Sequence, residues 1–139
     1  MEKLIDIYET IDKSTGPGVV VTVGTGAKFF CTGFDLEFWL KAPENQINSI
    51  VRGQALLMKV LTLGLPSMAV FNGTAFAGGL ILGLMHDFRI MTVDPKRAIC
   101  LSEINVGFTT GPVYTEMVKA TTNSKSAREL MLGSLWSSE

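Results

Sequence analysis

The sequence predicts an α/β layered fold in which strands and helices alternate along the chain. Residues 19–23 are all valine or threonine, an unbroken β-branched run of the kind found in buried strands. Just before this run, apolar residues recur at the spacing of a helix, at Leu4, Ile5, Ile7, Tyr8 and Ile11. Near-continuous apolar strands separated by helices are typical of parallel sheets covered by helices. With 139 residues the chain can bury one sizeable core, and we expect a single domain over residues 1–139.

Turn signals and hydrophobic spacing place the remaining elements in order. A turn at residues 14–18 ends the first helix, and residues 24–33 form a loop after the first strand. The expected elements that follow are a short helical turn at 36–40, a helix at 46–63, a strand at 67–71, a helix at 78–85, strands at 88–93 and 98–101, and helices at 113–120 and 124–132. The long helix is expected to bury seven apolar residues: Ile47, Ile50, Val51, Leu56, Leu57, Val60 and Leu61.

Composition and charge exclude several classes of partner and compartment. The formal net charge is −1 and no run of basic residues occurs, so we expect no nucleic-acid partner. The two cysteines, Cys31 and Cys100, lack the spacing of a metal site and fit a reducing compartment. Neither a secretory signal nor a transit peptide is visible in the first residues, and the closing Ser-Ser-Glu is not a peroxisomal tripeptide.

One apolar stretch imitates a membrane helix. Residues 60–85 contain no charged side chain, and residues 79–83 match the small-xxx-small pattern of paired membrane helices. Pro66, Asn72 and Gly73 interrupt this stretch where a spanning helix must be continuous. A buried strand, a turn and a buried helix account for the same residues, so we expect no membrane span.

Several common catalytic motifs are absent or incomplete. Gly24 and Gly26 follow a strand as in a dinucleotide-binding fingerprint, but Phe29 occupies the position of the third glycine. The sequence contains no phosphate-binding P-loop and no G-x-S-x-G nucleophile motif. The single histidine, His86, lies at the end of an apolar helix, where a hydrogen-bonded core residue is the usual role. No metal site is expected.

Two glycine turns and one carboxylate remain as the candidate chemistry. The first turn contains Gly33, and the second, Gly78-Gly79, opens a buried helix after a strand. Backbone N–H groups at a helix start have no partner within the helix, and a glycine there lets an anionic group approach them. The carboxylate, Glu103, follows the end of a predicted strand. Together these features can hold a developing oxyanion beside a base.

Three segments resemble the signature of the enoyl-CoA hydratase/isomerase (crotonase) superfamily, in the same order. Residues 30–36 (Phe-Cys-Thr-Gly-Phe-Asp-Leu) match its first loop, and residues 72–90 match its N-G-x-A-x-G-G…D-x-R-[IL] segment. Glu103 and Gly107 match its E-x-x-x-G strand exit. The resemblance runs from about Leu4 to Ser134 and implies the crotonase-like (ClpP/crotonase) spiral of strand–helix units, truncated at both ends relative to the family.

The resemblance also implies roles for individual residues. The backbone N–H groups of Phe34 and Gly78 would form the oxyanion hole, and Glu103 would be the catalytic base. Family hydratases use a second glutamate, at the position that Ile81 occupies here. A single base suits the isomerisation of a 3-enoyl-CoA to a 2-enoyl-CoA in unsaturated fatty-acid oxidation. Coenzyme A would enter as part of the substrate, with no other cofactor, and further substrate contacts are expected from Gly33, Asp35, Gly79 and Phe108.

Two alternatives remain open. One is a non-catalytic crotonase-like subunit of a larger assembly, because the strands and helices that flank this region in the family are missing. The other is a different crotonase reaction, such as thioester hydrolysis or decarboxylation. The family resemblance further implies a homo-oligomer of the trimer type and a mitochondrial or peroxisomal setting.

Overall fold

The computed structural model describes residues 1–138, in which short parallel strands alternate with helices. The chain begins with helix α1 and ends with helices α5 and α6, and a 3₁₀ helix at Glu103–Val106 follows the last strand. The helices are α1 Glu2–Asp12, α2 Leu36–Leu40, α3 Pro43–Leu61, α4 Gly78–Leu84, α5 Pro112–Thr121 and α6 Ser124–Met131. The strands are β1 Val20–Val23, β2 Phe29–Cys31, β3 Ser67–Phe71, β4 Thr74–Phe76, β5 Phe88–Met91 and β6 Ile99–Cys100.

The strands form two three-stranded parallel sheets, which the chain visits in turn. The first sheet has the order β1-β3-β5 and the second has the order β2-β4-β6. Each pass of the chain therefore adds one strand to the first sheet and then one to the second. Helices α3 and α4 lie between successive passes, as parallel connections require. This arrangement confirms the predicted spiral of strand–helix units.

The core lies between the sheets and the inner faces of the helices. Helix α4 is buried from Gly79 to Leu84, and its Gly83 is in such close contact with Phe71 that a Cβ atom there would lie 2.2 Å from the ring. Among the most deeply buried side chains are Tyr8, Leu80, Ile81, Leu101, Val118 and Leu130. Within residues 1–138, no helix is both long and apolar enough to cross a membrane.

Most predicted elements are confirmed, and β3 has the predicted bounds. Strands β2 and β4 were not predicted: β2 lies inside the expected loop 24–33, and β4 occupies the small residues after Asn72 and Gly73. Each contains only three residues, too few for a period-two pattern to be visible. Parallel pairing holds them instead: β2 pairs with β4, and β4 also pairs with β6.

The expected burial of β1 is wrong on one face. Val20 and Thr22 point inward, whereas Val21 and Val23 are 55% and 54% exposed. A pleated strand turns alternate side chains to opposite faces, and in the described residues only one face of the first sheet is covered by helices. Phe88 and Ile90 on β5, in register with Val21 and Val23 across β3, are exposed on the same face.

The buried side of α3 also differs from the expected set. Leu56, Leu57 and Val60 are buried as predicted, but Ile47, Val51 and Leu61 are exposed. Ser49 and Gly53 lie on the buried side instead. Only a narrow stripe of this 19-residue helix faces the core, so apolar residues beside the stripe remain in contact with solvent.

Candidate active site

The first of the two predicted glycine turns, which contains Gly33 and follows β2, contacts the start of α4. Gly33 has a φ of +93°, a left-handed conformation that favours glycine. A Cβ atom at Gly33 would lie 3.1 Å from the Gly78 nitrogen and 3.1 Å from the Ala77 Cβ, so the two backbone segments are in direct contact. The Ala77 N–H donates to the Cys100 carbonyl at 2.9 Å, which ties the start of α4 to β6. Three strand exits therefore meet at this point.

Ala77 adopts an unusual backbone conformation at the same place. Its φ of +50° is the one positive value of a non-glycine residue within residues 1–138. Positive φ costs free energy in residues that carry a Cβ atom and is concentrated at functional sites. Here it orients the peptide that carries the Gly78 N–H. In the hydrogen bonds of the described residues, neither the Phe34 N–H nor the Gly78 N–H is a donor.

Phe34, Gly78 and Glu103 line one cavity of about 880 Å³. Its wall includes the Gly33 loop, the first turn of α4, the inner side of α3 and residues between Ser102 and Tyr114. The volume is that of a pocket for a small organic ligand. Most of the side chains in this wall are apolar, including Leu56, Leu57, Ile81, Leu82, Val106 and Phe108.

Glu103 has an unusual environment for a carboxylate. It is the first residue of the 3₁₀ helix, just after β6. Its Oε2 atom is buried and has no hydrogen-bond partner among the described residues. Burial raises the pKa of the Glu103 carboxyl, because the charged form loses its hydration. Burial also raises the pKa of the nearby Cys100 thiol, with the Glu103 charge as a second cause. A buried carboxylate oxygen without a partner is costly, and such groups are concentrated in functional sites.

Comparison with known proteins identifies the family of this chain. The family model described as enoyl-CoA hydratase/isomerase matches residues 1–138. The chain belongs to the enoyl-CoA hydratase/isomerase family. It is 31% identical over 126 residues to enoyl-CoA delta isomerase 2, peroxisomal, of Arabidopsis thaliana, covering 86% of this chain and 52% of the relative. It is 35% identical over 134 residues to a putative enoyl-CoA hydratase of Thermus thermophilus, covering 93% of this chain and 51% of the relative.

A solved structure confirms the crotonase fold. The crystal structure of human mitochondrial delta3-delta2-enoyl-CoA isomerase superposes with a TM-score of 0.90 at 23% identity, covering 98% of this chain and 54% of that chain. The chain therefore spans about half the length of the relatives it matches. At 23% identity this likeness establishes the fold alone.

Three aromatic side chains pack together in the wall of the cavity. The rings of Trp39 and Phe108 pack edge to face, with centroids 4.8 Å apart. The Phe34 ring stacks on Trp39 at 6.3 Å with an interplanar angle of 18°. All three residues line the cavity, and Phe108 was expected to contact substrate. Tyr114, Gln54 and Gly53 line the cavity as well. Sequence analysis did not identify these three residues. A glycine in the middle of a predicted helix, Gly53, was the one signal that could have indicated a close contact there.

The other predicted site residues have defined positions. Asp35 lines the cavity and also caps α2, its Oδ1 accepting a hydrogen bond from the Phe38 N–H at 3.2 Å. Gly79 is buried against β2, where a Cβ atom would lie 2.0 Å from the Cys31 carbonyl oxygen. Gly79 therefore lets α4 pack on β2, and its contact with substrate stays a prediction. Ile81 is buried and forms part of the cavity wall.

His86 lies outside the cavity, in the core position that the sequence predicts. Its Nε2 is 2.8 Å from the Thr22 hydroxyl and 3.1 Å from the Tyr8 hydroxyl, and its Nδ1 is 2.9 Å from the Leu82 carbonyl. Asp87 accepts hydrogen bonds from the N–H and the hydroxyl of Ser67, which joins β3 to the start of β5. Within residues 1–138, no group of three or more histidine, cysteine, aspartate or glutamate side chains is arranged to hold a metal ion.

Proposed function

We propose that this chain carries the active site of an enoyl-CoA isomerase, which moves a double bond from the 3-position to the 2-position of an acyl-CoA thioester. The buried and unpartnered Oε2 of Glu103 is the observation that carries the proposal. Glu103 lines the same cavity as Phe34 and Gly78, whose backbone N–H groups donate no hydrogen bond among the described residues. A base beside two fixed donors is the arrangement that enolate chemistry requires.

The proposed reaction needs one base and two hydrogen-bond donors. Glu103 removes a proton from C2 of the 3-enoyl thioester, and the electron pair of that C–H bond delocalises onto the thioester oxygen. The resulting dienolate oxygen is stabilised by the N–H groups of Phe34 and Gly78. Glu103 then returns the proton to C4, the double bond forms between C2 and C3, and the carboxylate is regenerated. The raised pKa of Glu103 makes it a stronger base for this step.

Hydration would need a second group to position a water molecule. Among the described residues that line the cavity, the acidic side chains are Asp35 and Glu103, and Asp35 caps a helix. Ile81 forms an apolar wall where family hydratases have a glutamate. Relatives at similar identity are named isomerases and hydratases alike, so the isomerase is chosen on these side chains. Coenzyme A enters as part of the substrate, and no other cofactor is proposed.

Relatives supply a proposed setting. One relative is named peroxisomal and another mitochondrial, and we place this reaction in fatty-acid oxidation in one of those compartments. The second candidate function is that of a non-catalytic subunit in an oligomer. The exposed apolar face of the first sheet, formed by Val21, Val23, Phe88 and Ile90, favours it, because soluble monomers rarely leave such patches uncovered.

An assay with 3-hexenoyl-CoA tests the proposal directly. The appearance of the conjugated 2-enoyl thioester is followed for the wild type, for Glu103→Gln and for Glu116→Gln, which removes a carboxylate from an exposed ion pair on α5. We expect turnover in the wild type and in Glu116→Gln, and a loss of about 10²–10⁴-fold in Glu103→Gln. Unchanged turnover in Glu103→Gln would reject Glu103 as the base. A folded wild type without turnover would favour the non-catalytic subunit.

A further inference from the structure

We infer that Gly53, in the middle of α3, is a positioning residue that fixes the Phe34 N–H by providing a seat for the Phe34 ring. This inference rests on the proposed function. Gly53 is buried near the centre of a 19-residue helix, where glycine costs about 1 kcal/mol relative to alanine. A Cβ atom there would lie 3.0 Å from Cζ and 3.2 Å from Cε1 of Phe34. A residue that destabilises the helix therefore stands at the point where the Phe34 ring contacts the backbone of α3.

The Phe34 ring is held from other sides as well. Trp39 stacks on it, and Trp39 is itself fixed by edge-to-face contact with Phe108 and by an indole N–H that donates to the Gln46 carbonyl at 3.4 Å. The Tyr114 hydroxyl donates to the Ile50 carbonyl at 3.2 Å and would also lie 3.2 Å from a Cβ atom at Gly53. An added methyl group would therefore be in unusually close contact with both Phe34 and Tyr114.

Displacement of the ring would move the candidate oxyanion hole. The Phe34 backbone continues directly from Gly33, which is in contact with the Gly78 nitrogen. A ring shift of a few tenths of an ångström is absorbed either by the side chains and open cavity around the ring or by the Phe34 backbone. The second route changes the distance between the two N–H donors. Donor geometry affects the transition state more than substrate binding, so the effect belongs in kcat.

The test combines Gly53→Ala with a second substitution that removes one of its two neighbours. Gly53→Ala alone is expected to lower kcat about tenfold with KM changed less than about twofold. In the Phe34→Leu background, which shortens the side chain but keeps the backbone N–H, adding Gly53→Ala should lower kcat less than about twofold. In the Tyr114→Phe background the tenfold loss should persist. Equal effects of Gly53→Ala in all three backgrounds, or a change in KM alone, would overturn the inference.

A binding measurement keeps the inference testable without turnover. Acetoacetyl-CoA, an enolisable 3-oxoacyl thioester, is titrated into protein labelled with ¹⁵N-phenylalanine, and the Phe34 amide resonance is followed. In the wild type we expect a downfield shift of the Phe34 amide proton, and in Gly53→Ala a shift of less than half that size. Absence of a Phe34 shift in the wild type would overturn the inference. A shift in the wild type without isomerase turnover would reject the proposed reaction and leave the positioning role intact.

Discussion

At the scale of single residues, the cavity keeps a carboxylate in a place that is unfavourable for folding. Glu103 has one buried oxygen without a hydrogen bond among the described residues, and burial raises its pKa. Folding therefore carries an electrostatic penalty at neutral pH, where the carboxylate is charged. Such a penalty is expected where a group must remain free to react, because a partner that stabilised the charge would also weaken the base.

Substituting Glu103 by glutamine should therefore stabilise the protein at pH 7. We expect Glu103→Gln to raise the free energy of unfolding by about 1 kcal/mol at pH 7, since a neutral side chain is cheaper to bury without a partner. The wild type loses stability as pH rises through the raised folded-state pKa, and the penalty is absent below the ordinary value of 4.5, where folded and unfolded states are both protonated. Urea unfolding at pH 7 and pH 4 measures the difference, which should vanish at pH 4. A less stable Glu103→Gln at pH 7 would contradict this account.

Sequence could indicate some residues of the cavity and not others, for a physical reason. Glu103, Phe34 and Gly78 belong to short local patterns of glycine and carboxylate, and the structure brings all three to one cavity. Gly53 and Tyr114 belong to no local pattern. Both matter through the close contacts around Gly53, where the Phe34 ring and the Tyr114 hydroxyl come from distant parts of the chain and meet only once the helices are packed.

At the scale of elements, two short strands form through pairing between segments that are distant in the chain, and the sequence did not predict them. β2 and β4 lack a visible pattern because neither is longer than three residues. Long-range parallel pairing makes them strands, and α4 packs directly on β2 because Gly79 has no side chain. The longer elements α1, β3 and α4 were predicted correctly since apolar periodicity and turn residues act locally.

Gly79→Ala should break the contact between α4 and β2. A Cβ atom there would lie 2.0 Å from the Cys31 carbonyl oxygen and 2.5 Å from its carbonyl carbon, both backbone atoms that cannot rotate away. We expect a loss of at least about 3 kcal/mol in the free energy of unfolding, or failure to fold. Gly64→Ala is the matched control, because nothing lies within 4 Å of a Cβ atom there, and it should change stability by less than about 1 kcal/mol. A Gly79→Ala protein as stable as this control would show that α4 can shift on β2.

At the scale of the whole molecule, a buried polar network joins the first helix, the first sheet and the central helix. The Tyr8 hydroxyl on α1 is 2.6 Å from the Thr22 hydroxyl on β1, and both contact His86 just after α4. The Leu82 carbonyl can only accept a hydrogen bond, so the His86 Nδ1 is the protonated nitrogen and Nε2 accepts from a hydroxyl. The network is complete when His86 is neutral. A second proton on the ring would force a hydroxyl to reverse its role.

Stability should therefore fall as the solution becomes mildly acidic. Burial lowers the pKa of His86, with smaller opposing contributions from the Leu82 carbonyl and Asp87 and a further lowering by Arg89. Below the ordinary value of 6.5 the unfolded chain takes up a proton that the folded chain resists, so the free energy of unfolding decreases as pH falls through that value.

Glu103 has the opposite effect on the pH dependence of stability, so the His86 measurement needs a variant that lacks the Glu103 carboxylate. Its raised pKa adds stability as pH falls, and this would mask part of the histidine effect in the wild type. The measurement is therefore made in the Glu103→Gln background, with and without His86→Gln, by urea unfolding between pH 7.5 and pH 5, a range set about the ordinary histidine pKa of about 6.5. We expect a decline toward pH 5 that is absent when His86 is replaced. An equal decline of the free energy of unfolding in both proteins would assign the acid sensitivity to other groups. The hydrogen-bond network would then have a structural role only.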